Sequence, residues 1–151
     1  VFVPSWFNRM SQSNNQPWYK DGLQFQCTGC GDCCTGAPGY VWVNKEEIAA
    51  LAAEVGVDVP EFEKLYVRRI GNRKSLKELK KSYDCIFLDA DTRKCRVYVA
   101  RPRQCRTWPF WDSNIRTPAA WAHTCEVCAG SGTGKLHQLE VIEEQAAVFK
   151  L

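Results

Sequence analysis

The 151-residue sequence predicts a small single α+β domain in which cysteine-rich loops and a short β-hairpin are packed by about three helices. Three observations carry that expectation. Helical apolar spacing recurs at about residues 45–55, 59–67 and 135–150. Two short β-prone runs flank a turn-forming stretch between Cys85 and Val99. Nine cysteines, a number that packing does not require, are spread from Cys27 to Cys128. Apolar material is not lacking, because 45% hydrophobic and 12% aromatic residues suffice for one modest core.

Residues 1–15 read as a flexible N-terminal arm, with Ser11, Ser13, Asn14 and Asn15 in succession and Met10 as the only methionine; residues 16–151 form the domain. Trp18, Tyr19, Leu23 and Phe25 lead as irregular or short extended chain into a cysteine loop, and Tyr40 to Val43 is a strand candidate. Asn44 with Glu47 makes a capping box for a helix carrying Ile48, Leu51, Ala52 and Val55, which Gly56 stops. A second helix opens at Asp58, with Pro60 in its first turn and Phe62, Leu65 and Tyr66 on one face. Lys74 to Tyr83 is basic and fits either a strand or a frayed helix. Cys85–Leu88 and Cys95–Val99 read as two strands joined by an Asp89–Lys94 turn. Arg101-Pro102 opens a helical turn bearing Cys105, Trp108 to Trp111 add an aromatic wall, and a turn after Pro118 leads to Cys125 and Cys128. Leu136, Leu139, Ile142, Ala146 and Phe149 make the stripe of the last helix.

The eight residues Cys27-Thr-Gly-Cys-Gly-Asp-Cys-Cys34 place four thiols where a core would place aliphatic groups. The spacing of Cys27, Cys30 and Cys33 lets a curled backbone direct three sulfurs at one centre, with Gly29 and Gly31 supplying the turns. Side chains of adjacent residues usually point apart, so one of Cys33 and Cys34 is expected to serve a second metal or to bridge. Cys85, Cys95 and Cys105 recur ten residues apart, and a hairpin gathers such positions to complete coordination. Cys125-Glu-Val-Cys128 fits half a zinc site or two cluster ligands; a thioredoxin-like redox pair ranks last, since no βαβ pattern surrounds it. An odd number of cysteines without an apolar leader argues against a disulfide framework and for a reducing, cytoplasmic setting. No apolar run reaches the length of a membrane span.

His123 and His137 are the only histidines, so the donor set favours zinc or an iron-sulfur cluster. Phe25-x-Cys27-x2-Cys30-Gly31-x-Cys33-Cys34, Cys85-x-Phe87-Leu88, Cys95-x-Val97-Tyr98 and Arg101-Pro102-x2-Cys105-Arg106-x-Trp108-Pro109 follow in that order. Together they resemble the CxxCxxCC family of zinc- or iron-chelating proteins, also called YkgJ-like cysteine-cluster proteins. The resemblance covers about Phe25 to Gly134 and implies a bound metal, often taken to be an iron-sulfur cluster. Some relatives carry the domain within flagellin lysine N-methylases, a role not carried over because no adenosylmethionine-binding half is present. The family's late Cys-Pro-Gly-x-Gly-x-Gly element stands here as Cys128-Ala-Gly130-Ser-Gly132-Thr-Gly134, and Cys125 is an addition.

Gly130 to Lys135 fails as a P-loop, because Ala129 stands where the first Gly belongs and Leu136 where Ser or Thr should follow the Lys. Gly130, Gly132 and Gly134 instead suit a close-approach loop before the last helix, with backbone N–H groups free for a cofactor; a plain connector fits equally well. Seven basic residues from Arg93 to Arg116 face one acid, Asp112, and with Cys95 and Cys105 among them they best suit charge compensation of a thiolate centre. His123 suits a solvent-facing role better than that of a ligand.

The expected function is therefore iron-sulfur binding for electron transfer or redox chemistry, at two metal centres or one cluster of high nuclearity, with Cys27, Cys30, Cys33, Cys34, Cys85, Cys95, Cys105, Cys125 and Cys128 as ligands. A redox partner protein or an anionic small molecule is the expected partner, ahead of nucleic acid. The competing reading is a structural zinc module with a basic surface for nucleic acid or protein. An oxidoreductase role stays open, because no residue stands out as base or nucleophile.

Overall fold

The structure is a computed structural model that describes residues 15–150. The expected arm falls, except for Asn15, outside the described residues. The domain is mixed α+β, with six helices and two small antiparallel sheets among the described residues.

β1 (Leu23–Phe25) enters the cysteine loop, which ends in a 3-10 turn at Asp32–Cys34. β2 (Val41–Val43) and α1 (Lys45–Val55) follow. The Asn44 side chain accepts the Glu47 N–H at 2.8 Å and the Glu47 carboxylate accepts the Asn44 N–H at 3.0 Å, so the expected capping box closes. α2 (Val59–Tyr66) starts after Asp58, whose carboxylate accepts the Glu61 N–H at 2.8 Å. The chain then runs directly into β3 (Val67–Ile70) and returns through Gly71 and Asn72 as β4 (Arg73–Leu76). In the sheet order β2-β4-β3, Leu76 pairs with both Val41 and Val67.

Val43 and Leu76 bury into a first core with Ile48, Leu51, Phe62, Phe87 and Val97. Leu51 and Phe62 are completely enclosed. Each such side chain contributes roughly 1.5–3 kcal/mol by leaving water.

A second core forms around Leu23, Phe110, Ile115, Trp121 and Ile142. The short α3 (Arg103–Arg106) precedes it, and its helices are the short α4 (Asp112–Ile115), then α5 (Pro118–Val127). β5 (Ser131–His137) lies antiparallel to β1, and α6 (Leu139–Val148) closes the domain.

Two segments differ from expectation. The stretch from Cys85 to Val99 forms tight turns joined by single bridges, Glu78 to Cys85 and Leu88 to Cys95, instead of a hairpin. Asp89 is the physical reason: its carboxylate accepts the N–H groups of Asp91 at 2.9 Å and Thr92 at 3.0 Å, so local bonds replace a ladder. The regular hairpin is β3–β4 instead. The glycine-rich stretch is not a loop before the helix but strand β5, and the last helix starts at Leu139 rather than at 135.

Glu47 also reaches α3, because its second oxygen accepts the Arg103 N–H at 2.6 Å. One carboxylate thus caps α1 and anchors α3. Glu47→Ala is expected to cost about 2–3 kcal/mol in urea unfolding and Glu47→Gln about 1 kcal/mol, since the amide oxygen still accepts.

Candidate metal centre

The cysteine loop is clamped at both ends by glycine. At its start the Gln26 N–H donates to Gly130 O at 3.0 Å. A methyl group on Gly130 would lie 2.1 Å from Gln26 O and 3.4 Å from Cys27 Cα. At its end Gly31, with φ of 78°, packs so tightly that a Cβ would lie 2.4 Å from Arg93 O. The Cys85 N–H donates to Cys34 O at 2.8 Å, and Thr35 bonds to the Asp84 carboxylate. Arg93 and Asp32 form an ion pair at 3.6 Å.

The 3-10 turn brings Cys33 Sγ and Cys34 Sγ to 4.0 Å, so the adjacent sulfurs do not point apart as expected. Cys33, Cys34 and Cys85 line a cleft of about 250 Å3 with Gln104 and Trp111. Gln104 is buried and fully used. Its Oε1 accepts the Trp42 N–H at 2.8 Å, its Nε2 donates to Tyr40 O at 2.9 Å, and its carbonyl accepts Trp111 Nε1–H at 2.9 Å. Those bonds lock α3 against β2 and fix the neighbouring Cys105.

Cys33, Cys85, Cys95 and Cys105 are near enough for their charges to act on one another. The hydrogen bond with Cys34 pushes the exposed Cys33 thiol far up, more than burial does. Burial raises Cys85 to about 11, with Cys95 and Cys33 adding to it. Cys105 is driven up by burial first and then by Cys85, Cys33 and Cys95. Burial also raises Cys95, while the Val97 N–H and Arg101 pull it down.

Arg101 favours the thiolates of Cys33, Cys95 and Cys105. Its guanidinium lies 3.7 Å over the Tyr98 ring and Nε donates to Tyr98 O at 2.9 Å, so it is held in place. Other members of the basic stretch have local partners: Arg96 with Asp89, Arg103 with Glu47 and Arg116 with Asp112.

A second set lies at the end of α5. Cys128, buried at the C-cap, accepts Trp108 Nε1–H at 3.4 Å, and burial followed by Cys128 raises Cys125. Gly132 leaves 3.1 Å between a would-be Cβ and Cys125 Sγ. The Gly130 contact brings the backbone of Cys27 beside this set, and Cys30, half-buried, follows on the same loop. His123 is exposed and lies 3.5 Å from Glu126.

All nine cysteines are free thiols. Among the described residues, no three Cys, His, Asp or Glu side chains converge tightly enough to hold an ion as they stand. The thiols of the first set are thus neighbours at the range of charge interaction rather than of shared coordination. Their chemistry fits zinc or iron, both of which take thiolate. The sequence points to Arg101 as charge compensation, Trp108 as part of the aromatic wall and Glu47 as a cap, but not to Gln104, whose side chain acts through Tyr40 and Trp42 more than sixty residues away.

A family model, CxxCxxCC, described as "Putative zinc- or iron-chelating domain", matches residues 26–129. An uncharacterized protein of Methanocaldococcus jannaschii, MJ0661, is 39% identical over 93 residues, which are 61% of this chain and 48% of that protein. The chain thus spans about half the length of this curated relative. No solved structure matches.

Raised thiol pKa values set the pH dependence of the metal-free protein. Above the unfolded thiol pKa of about 8.5 the unfolded chain holds fewer protons than the folded one, so stability falls as pH rises. With Cys85 at about 11, its share of the loss reaches about 3 kcal/mol by pH 11. Urea unfolding of reduced, chelator-treated protein is expected to show a flat midpoint near neutrality and a decline above about pH 8.5, shallower in Cys85→Ala.

Proposed function

The chain belongs to the CxxCxxCC family of zinc- or iron-chelating domains, and from that premise we propose that it is an iron-sulfur protein that carries electrons at two centres. The observation that supports this reading is the partition of the thiols. Cys33, Cys34, Cys85, Cys95 and Cys105 gather at the margin of the first core, while Cys125 and Cys128 lie at the second with the backbone of Cys27 beside them and Cys30 on the same loop. Neither set includes a histidine. Five thiols in the first set exceed the four that one structural zinc or one cluster takes, so one is left over to bridge.

An iron-sulfur cluster supplies one-electron transfer at each set. The chain's own residues determine the setting. Arg101 offsets thiolate charge at the first centre, and Trp108 and Trp111 shield the region between the sets. Gly130, Gly132 and Gly134 let the chain approach Gln26, Cys27 and Cys125 closely, which brings the backbone of Cys27 to the side of the second centre. An acidic redox partner protein or a small anion fits the charge around Arg101. A reducing, cytoplasmic setting goes with nine free thiols. Among the described residues, no helix is long and apolar enough to cross a membrane.

One observation favours zinc. The 4.0 Å between Cys33 Sγ and Cys34 Sγ is near the ~3.8 Å edge of a tetrahedron with Zn–S bonds of about 2.3 Å. A colourless protein with stoichiometric zinc would establish that reading and overturn the iron-sulfur one.

Protein purified without oxygen is expected to show broad visible absorption and acid-labile sulfide. Cys105→Ser and Cys128→Ser should each remove about half of the iron and sulfide, and the double variant nearly all, by the four-thiolate requirement of each cluster.

A further inference from the structure

A hydrogen-bond donor is aimed at the sulfur of Cys128. Trp108 Nε1 lies 3.4 Å from Cys128 Sγ, and the indole makes an edge contact with Trp111 at a centroid separation of 4.9 Å. Trp111 is itself tied through Nε1 to Gln104 O at 2.9 Å. The Trp108 ring is thus held from behind, and its N–H meets sulfur. A thiol accepts such a bond weakly, whereas a thiolate makes it charge-assisted.

Ser131 gives an independent observation. It is 4% exposed, its Oγ has no partner among the described residues, and its N–H donates to Cys128 O at 3.1 Å. A buried hydroxyl without an acceptor costs about 1–3 kcal/mol. One donor aimed at sulfur and one unused donor therefore accompany Cys128, the most enclosed of the nine cysteines.

We infer that Trp108 and Ser131 are positioning residues for the second centre, donating hydrogen bonds that stabilise negative charge on the Cys128 sulfur and its surroundings. The inference rests on the proposed metal at Cys128 but not on which metal it is. Donors to a cluster's thiolate stabilise the reduced state, which carries more negative charge, so they raise the potential. They also withdraw electron density from sulfur, which makes Cys128 the weaker donor to a metal.

The test uses the full chain, purified without oxygen, with Trp108→Phe and Ser131→Ala. Trp108→Phe keeps an aromatic ring against Trp111 and removes the N–H. With iron and sulfide content unchanged, an EPR-monitored redox titration should show the second centre's midpoint moving negative, about tenfold in the reduction equilibrium or about 59 mV for one electron. Ser131→Ala should move the same signal in the same direction, and the first centre's signal should stay put. An unmoved midpoint in both variants, or equal movement of both signals, overturns the inference. Should Trp108→Phe not retain the second centre, Ser131→Ala decides alone.

If the purified protein holds zinc, the iron-sulfur reading fails while this inference is still measured, on cobalt(II)-substituted protein. Loss of the N–H should move the sulfur-to-cobalt charge-transfer band to lower energy. A band left in place by both variants overturns the inference.

Discussion

Backbone pressed against backbone, with no side chain between, is the constraint on which the arrangement depends. The Cys27–Cys34 loop is held where Gly130 meets the Gln26 carbonyl and where Gly31 meets the Arg93 carbonyl. Neither carbonyl can rotate away as a side chain could, so even a methyl at either glycine forces the chain apart. Gly134 adds a third contact, since a Cβ there would lie 2.5 Å from Gln26 Cβ. Residues about a hundred positions downstream thus settle where the first cysteine stands. Through the bond from Cys85 to Cys34, the same loop is tied to the first core.

Electrostatics decides what such a gathering of thiols can do. Burial and mutual repulsion keep Cys85 and Cys105 protonated, and Arg101 relieves only part of that at Cys33, Cys95 and Cys105. One guanidinium cannot balance four thiolates. A metal cation can, so binding and deprotonation become one event, with protons released as the ion enters. Acid therefore competes with metal more strongly here than at exposed thiols.

Helices α1 and α2 were legible because their signals are local: the Asn44–Glu47 box, the Asp58 cap and the Pro60 start all act within one turn. The cysteine motif and the family it resembles were legible for the same reason. The β3–β4 hairpin was not. Arg68, Arg69, Arg73 and Lys74 interrupt the apolar alternation that marks strands, and the structure accounts for two of them by laying Arg68 over Tyr40 and Arg73 over Trp42. Between Cys85 and Val99 the opposite error arises, because β-prone residues surround an aspartate that satisfies its own turn. The partition of the thiols into two sets was beyond sequence pattern, since it rests on contacts such as Gly130 with Cys27 and Trp108 with Cys128.

The placement of Cys105 bears on when metal enters. α3 has four residues, too few to be helical alone, and Glu47, Tyr40, Trp42 and Trp111 hold it through bonds to Arg103 and Gln104. Those partners stand on or beside β2 and α1 and in the aromatic wall, and none of the bonds involves a thiolate. Leu51, Phe62 and Ile142 are completely enclosed. Small zinc fingers lack such cores and need metal in order to fold. In this chain the first core carries Cys85 and Cys95, and the bonds to Arg103 and Gln104 carry Cys105, so the placement of these three thiols rests on apolar burial and hydrogen bonds rather than on an ion.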